Sequence, residues 1–176
     1  MNQYGRNRDQ DVRYGEAAGR YARAIERLAR GYEADAELRR DLVQEIHMAL
    51  WRSFAYFEAQ CSERSWVYRI AHNVAVSHLI ARRRLRAEAL TGLEAIEELA
   101  GPADSEAETG RRLLSERLLA TIHRLKPADR QVMLLYLEDL TAAEIGEVTG
   151  LSAGAVAVRI HRIKALLSRS FDSEEA

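Results

Sequence analysis

Trp66, Tyr68, Arg69, His72 and Asn73 fall within one short stretch, and Arg82, Arg83 and Arg84 follow further along it. Aromatic side chains interleaved with bases suit a single-stranded nucleic acid: bases stack on the rings, and cations track the backbone. The same residues also have a purely structural reading, with Trp66 and Tyr68 plugging a core and the arginines forming a solvated helix end. Charge is segregated around them. From Cys61 to Leu90 six arginines stand against Glu63 and Glu88, whereas Thr91 to Gly110 holds six acids and no base. The net charge of −1 therefore conceals surfaces of opposite sign, suited either to separate partners or to plain solvation.

A second constellation is the stretch DLTAAEIGEVTGLSAGAVAVRIHRI, Asp139 to Ile163, which has the spacing of a helix-turn-helix. Thr141 is the expected N-cap, and Glu144 three residues on completes a capping box. Gly150 supplies the left-handed residue of the turn, Leu151 packs into the angle, and Ser152 caps the second helix. Val156, Ile160, Ile163 and Leu167 form that helix's inward stripe. Gly154, Ala155, Ala157, Val158, His161 and Arg162 then face outward, flanked by Arg159 and Lys164. A plain helical hairpin would share the turn. As a DNA reader, the small residues let the backbone sit deep in a major groove, while Ser152 and the helix N-terminus meet a phosphate. Ala157 or Val158 would touch a thymine methyl, and Arg159 or Arg162 would take guanine or phosphate. So few base-specific hydrogen bonds make a weak reader on its own.

Nothing of this kind supports catalysis. His47, His72, His78, His123 and His161 are scattered, with no i, i+4 pair of the helical zinc type. No glycine-rich phosphate loop is present, and no carboxylate pair is placed for acid–base work. Cys61 is alone, so there is no internal disulfide framework. The expectation is a non-enzyme with no catalytic residue, metal or cofactor.

The elements that must position these residues are all helical. Two prolines and a wealth of Ala, Leu, Arg and Glu favour helix, and no strand-like alternation stands out. Tyr21, Ile25, Leu28 and Tyr32 form one apolar stripe. Leu42, Ile46, Ala49 and Leu50 form another, with Gln44, His47, Met48 and Trp51 opposite. Ser65 is the expected cap of a third helix from Trp66 to about residue 84. Leu114, Leu118, Ile122 and Leu125 open a second group, and Pro127 restarts a helix at a position where its missing N–H does no harm. The reading is all-α: a disordered N-terminus at 1–15, a helical domain at 16–88, an acidic linker at 89–112, a helix-turn-helix domain at 113–171 and a polar tail at 172–176. No apolar run approaches the roughly 20 residues of a membrane span, and the polar N-terminus is no secretory signal. A soluble, cytoplasmic protein without a membrane partner is expected.

Taken together, DLVQEIHMALWRSF followed by SWVYRIAHNVAVSHLIARRR resembles region two of bacterial sigma factors. LKPADRQVMLLYLEDLTAAEIGEVTGLSAGAVAVRIHRIKALL resembles their region four. Order, spacing and the missing intermediate domain resemble the small group IV, or extracytoplasmic-function (ECF), sigma factors. The resemblance implies that core RNA polymerase and promoter DNA are partners and that Asp41, Gln44, Glu45 and Met48 dock on the polymerase clamp. It implies that the loop at 60–65, with Trp66, Tyr68, Arg69, His72 and Asn73 beside it and Arg82, Arg83 and Arg84 behind, captures an unstacked base of the minus-ten element. Residues 113–137 would sit on the polymerase flap. Ser152, Gly154, Ala157, Val158, Arg159, His161 and Arg162 would read the minus-thirty-five element. The acidic linker would thread toward the RNA exit path, and an anti-sigma protein would hold the factor inactive.

The chain departs from that family where Ala157 and Val158 replace the usual base and small hydroxyl, and where Ser77 replaces an acid. A modest reader suffices when polymerase holds it and two promoter elements are bound together. The rival readings are a freestanding helix-turn-helix regulator binding operator duplex, and a helical adaptor that binds only protein.

Overall fold

The computed structural model describes residues 3–90 and 106–172, with side chains placed for 8–85 and 114–169. Among the described residues there are seven helices and no strand. They are α1 (Gln3–Tyr32), α2 (Ala36–Phe54), α3 (Glu63–Leu90), α4 (Glu106–Arg124), α5 (Pro127–Leu137), α6 (Ala142–Thr149) and α7 (Ala153–Asp172). The first three form one bundle and the last four another. Residues 91–105, which carry most of the acidic linker, lie outside the described residues.

The first bundle is built on the expected stripes. Ile25, Leu28 and Tyr32 of α1 meet Leu42, Ile46, Leu50 and Phe54 of α2, and Val67, Ala71 and Ala75 of α3 close the core. Asp35 starts α2 by accepting the backbone N–H groups of Glu37 and Leu38. The third helix begins earlier than the sequence suggested. Ser62, not Ser65, accepts the orphan N–H of its first turn, at 3.0 Å from Ser65 N. Ser65 sits inside the helix and is buried.

The N-terminus is a larger correction. The segment expected to be disordered at 1–15 continues α1 back to Gln3. Its anchors are polar. The buried Gln10 amide donates to the Trp51 carbonyl at 2.6 Å, and the Trp51 indole N–H donates to Asp11 at 2.8 Å. Tyr14 O–H and His47 Nδ1 lie 3.1 Å apart. Similarly, α4 starts at Glu106, within the stretch assigned to the linker.

In the second bundle Ile122, Val132, Leu135, Ile145, Val156 and Ile163 are fully buried. Leu114, counted in the α4 stripe, is instead 57% exposed. Arg130 is buried and ties α4 to α5, donating to the carbonyls of Ile122, His123 and Leu125 at the α4 C-terminus. A cation suits that end of a helix dipole. The same guanidinium lies over the Tyr32 ring of α1, 5.8 Å from its centroid.

The two bundles are docked. Their buried side chains form one continuous cluster from Ala17 to Leu167. Gly31 permits the approach of α1 and α5: a Cβ there would lie 2.4 Å from Leu134 Cδ2. His123 Nε2 and the Arg30 carbonyl are 2.9 Å apart beside it.

Candidate nucleic-acid interface

The helix-turn-helix forms as its residues dictate. Thr141 accepts the Glu144 N–H, and Glu144 in return accepts the Thr141 N–H at 2.8 Å. Those bonds from Thr141 hold the Glu144 carboxyl below the ordinary range. Gly150 ends α6 at φ 77°, in the left-handed region. Ser152 accepts the Ala155 N–H at 3.2 Å and so caps α7. Val156, Ile160, Ile163 and Leu167 point inward. Ser152, Gly154, Ala157, Val158, His161 and Arg162 are exposed, and Arg159 is half-buried. Val158 is 72% exposed, at the edge of the same face.

The aromatic–basic stretch divides. Asn73, Arg83 and Arg84 are exposed, whereas Trp66, Arg69 and Arg82 are half-buried. Trp66 donates its indole N–H to Ser53 at 3.0 Å and lies against Phe57, centroids 5.2 Å apart. Beside it a cleft of about 480 Å³ is lined by Arg13, Phe54, Phe57, Glu58, Ala59 and Glu63. Arg82 pairs with the buried Glu33 carboxylate at the end of α1.

His72 is withdrawn from the face altogether, contrary to expectation. It is fully buried, with Nδ1 2.9 Å from the Tyr32 hydroxyl, and burial pushes its pKa down to about 3. The reason is register. Positions 68, 72 and 75 share one side of α3, and that side packs against α1. His72 is a neutral core residue.

Tyr68 is buried as well, but partly by the second bundle. Its hydroxyl donates to Glu138 Oε2 at 3.0 Å, and burial beside that carboxylate raises its pKa. Glu138 also accepts two hydrogen bonds from Arg27, both 2.6 Å, and its backbone carbonyl accepts from Arg64. Asp139, at φ 58°, ends α5 just beyond it. One helix on, Glu147 accepts the Ser65 hydroxyl at 2.8 Å, and its carbonyl accepts Arg69 at 2.6 Å. Thus α3 meets α6 through the side chains expected to hold a DNA strand. Glu138, Glu147 and Arg27 escaped the sequence reading, because each is a single charge without a periodic signal.

On α2, Asp41, Gln44, Glu45 and Met48 are exposed along one side, Met48 by 45%. Trp51 continues that row at 39% exposure, next to the N-terminal turns of α1. Glu45 reaches His78 of α3 at 3.3 Å.

Comparison with known proteins shows the family. The Sigma-70 region 2 family matches residues 18–85, and the Sigma-70 region 4 family matches residues 115–167. The chain is 30% identical over 172 residues to RNA polymerase sigma factor CnrH of Cupriavidus metallidurans, spanning 92% of this chain and 87% of that one. It is 32% identical over 143 residues to the ECF RNA polymerase sigma factor BldN of Streptomyces coelicolor, spanning 79% of this chain and 52% of that one. The fold resembles CnrH in complex with the cytosolic domain of CnrY, at TM-score 0.69 and 22% identity over 97% and 94% of the two chains. It also resembles the sigma factor RpoE in complex with the anti-sigma factor NepR from Bartonella quintana, at TM-score 0.70 and 16% identity over 90% and 96%. With both regions present, in this order and with only residues 86–114 between the two matches, the chain belongs to the ECF, group IV, sigma factors of bacterial RNA polymerase.

Proposed function

We infer that this sigma factor binds core RNA polymerase through the exposed α2 row of Asp41, Gln44, Glu45 and Met48, and directs promoter-specific initiation through two DNA-binding faces. The chain supplies binding and positioning, with no reaction of its own. The α7 face reads the minus-thirty-five duplex, with Ser152 and Gly154 at the phosphates and Ala157 and Val158 at the base edges. The start of α3 holds the minus-ten strand. Trp66, Arg69 and Asn73 border it, Arg83 and Arg84 track the backbone, and the cleft beside Phe57 receives the unstacked base. Tyr68 joins that surface once the second bundle leaves.

The observation that carries this reading is the asymmetry of the two faces. The small and apolar part of the α7 face, Gly154, Ala157 and Val158, is open, whereas the polar atoms of Ser65, Tyr68 and Arg69 on α3 are held by Glu138 and Glu147. The docked arrangement and the strand-bound arrangement exclude each other. Capture of the minus-ten strand therefore requires α6 to leave α3, and core polymerase, by spreading the two regions along the promoter, supplies the binding free energy. A protein that embraces both bundles in the docked state would hold the factor inactive; RpoE, which shares the fold, is itself in complex with an anti-sigma factor.

The test is co-elution of the purified chain with core polymerase, followed by transcription from a promoter library. Co-elution with discrete start sites is expected. Failure to bind core, with operator-like duplex bound by the free chain, would convert the reading to a freestanding regulator. Neither activity would leave a protein-binding adaptor.

A further inference from the structure

The recognition helix α7 carries Arg159, Arg162 and Lys164 around its apolar face, and α5 holds all three. Arg162 donates to both oxygens of Asp129 at 3.0 and 3.1 Å, and Arg159 lies 3.4 Å from the same carboxylate. Lys164 donates to the Tyr136 hydroxyl at 2.5 Å and stands over that ring. Asp129 is only 13% exposed, while Arg162 is 61% exposed and Arg159 29%. The carboxylate lies in the first turn of α5, where the helix N-terminus favours negative charge. It is thus a fixed, partly buried anion facing two long and adaptable cations. Between the arginines and the N-terminal turn of α7 lies a shallow groove of about 320 Å³, lined by Gly154, Ala155, Val158, Arg159 and Arg162.

We propose that Asp129 is a specificity-determining residue of the minus-thirty-five reader, because it withholds Arg159 and Arg162 from the DNA backbone. Phosphate contact is the sequence-independent share of duplex affinity, and each neutralised phosphate adds to it. A reader with few base-specific hydrogen bonds loses selectivity quickly if that share grows. Asp129 competes with phosphate for both guanidiniums at once. Sequence-independent affinity stays low, and the small apolar surface of Gly154, Ala157 and Val158 decides which duplex is held. The proposal rests on α7 being the duplex reader, and its test separates the two failures.

The full chain would be titrated with a fluorescent random-sequence duplex from about 50 to 300 mM salt, as wild type, D129N, R159Q/R162Q and the triple combination. Asn keeps the shape of the side chain and removes its charge. D129N should bind about tenfold more tightly at the low-salt end, with a slope of log affinity against log salt steeper by about one to two. R159Q/R162Q should weaken binding much more in the D129N background than in wild type, which assigns the gain to those two arginines and not to net charge. In holoenzyme, D129N should raise transcription from unrelated start sites relative to the preferred promoter. Equal affinity and slope in wild type and D129N would overturn the proposal. So would a gain that survives R159Q/R162Q. Weaker binding by D129N would reverse the sign and make Asp129 a residue that presents the arginines to DNA. If none of the four chains binds duplex, the assignment of α7 as reader falls first.

Discussion

The Tyr68 hydroxyl donates to Glu138 across 70 residues of sequence, at 3.0 Å, and in doing so joins the start of α3 to the corner that precedes the helix-turn-helix. Glu138 serves Arg27 and Tyr68 together, and its backbone serves Arg64, so one residue collects three side chains of the first bundle.

Replacing Glu138 and Glu147 with alanine should release the α3 face. Hydrogen bonds to a charged group contribute about 1.5–3 kcal/mol, but Arg27 is 58% exposed and water competes for it. A net loss of about 1–2 kcal/mol of docking is expected, a factor of roughly 5–30 in the ratio of docked to undocked protein. Binding of the free protein to a single-stranded minus-ten oligonucleotide should rise accordingly. Unchanged strand affinity would mean that docking and strand binding are independent.

Gly31→Leu tests the same seam from its apolar side. Leu134 already occupies the space that a first side-chain carbon would need, and a branched chain forces α1 from α5. Leucine is the better helix former, so the first bundle should hold its own stability. Small-angle scattering should show a larger radius of gyration, with the helical content of the chain preserved.

Acid should weaken the fold through its histidines. Burial holds His72 neutral, with a pKa near 3, and burial also lowers His47 and His123. Below about pH 6.5 the unfolded chain takes up protons that the native His72 refuses. Its stabilising share is present above that pH and declines as pH falls, by up to about 1.4 kcal/mol per unit until the native pKa is reached. His72→Phe should lose about 1–3 kcal/mol at pH 7, because the Tyr32 hydroxyl is left without its partner. Its urea midpoint should then fall less steeply from pH 6 to pH 4. An identical slope in both proteins would assign the acid sensitivity elsewhere.

Val158→Asp separates folding from reading. The side chain is mostly in water, so stability should change by no more than the small range of surface substitutions, about 0.5 kcal/mol, as read by thermal melting. A carboxylate placed at the groove should abolish minus-thirty-five recognition and promoter-specific transcription, while co-elution with core polymerase persists.

Met48→Glu makes the converse cut. Met48 is 45% exposed on the α2 row, and no described hydrogen bond depends on it. Loss of co-elution with core is expected, with unchanged affinity for single-stranded DNA. Retained co-elution would move the docking surface away from α2.

The helix-turn-helix was legible because each of its parts is local. Thr141 and Glu144 are three residues apart, Gly150 is of the residue type most at ease in a left-handed turn, and the α7 stripe repeats at helical spacing. In α3, composition identified the right residues, but it did not say which rings face α1. His72 and Asn73 are neighbours in sequence and opposites in burial. The first turns of α1 escaped because polar pairs such as Gln10 with Trp51, 41 residues apart, hold them down. Hydrophobic periodicity cannot register such pairs. The docking of the two bundles escaped for the same reason, since Arg27 and Glu138 are 111 residues apart and neither belongs to a motif.

Arg130 belongs to two joints at once. The acidic segment enters the second bundle through α4, and the last carbonyls of α4 are gripped by a guanidinium that also lies on Tyr32 of α1. Loss of that one guanidinium would therefore uncap α4 and strip the Tyr32 ring of its cation in a single step, so the packing within the second bundle and its contact with the first are expected to weaken together.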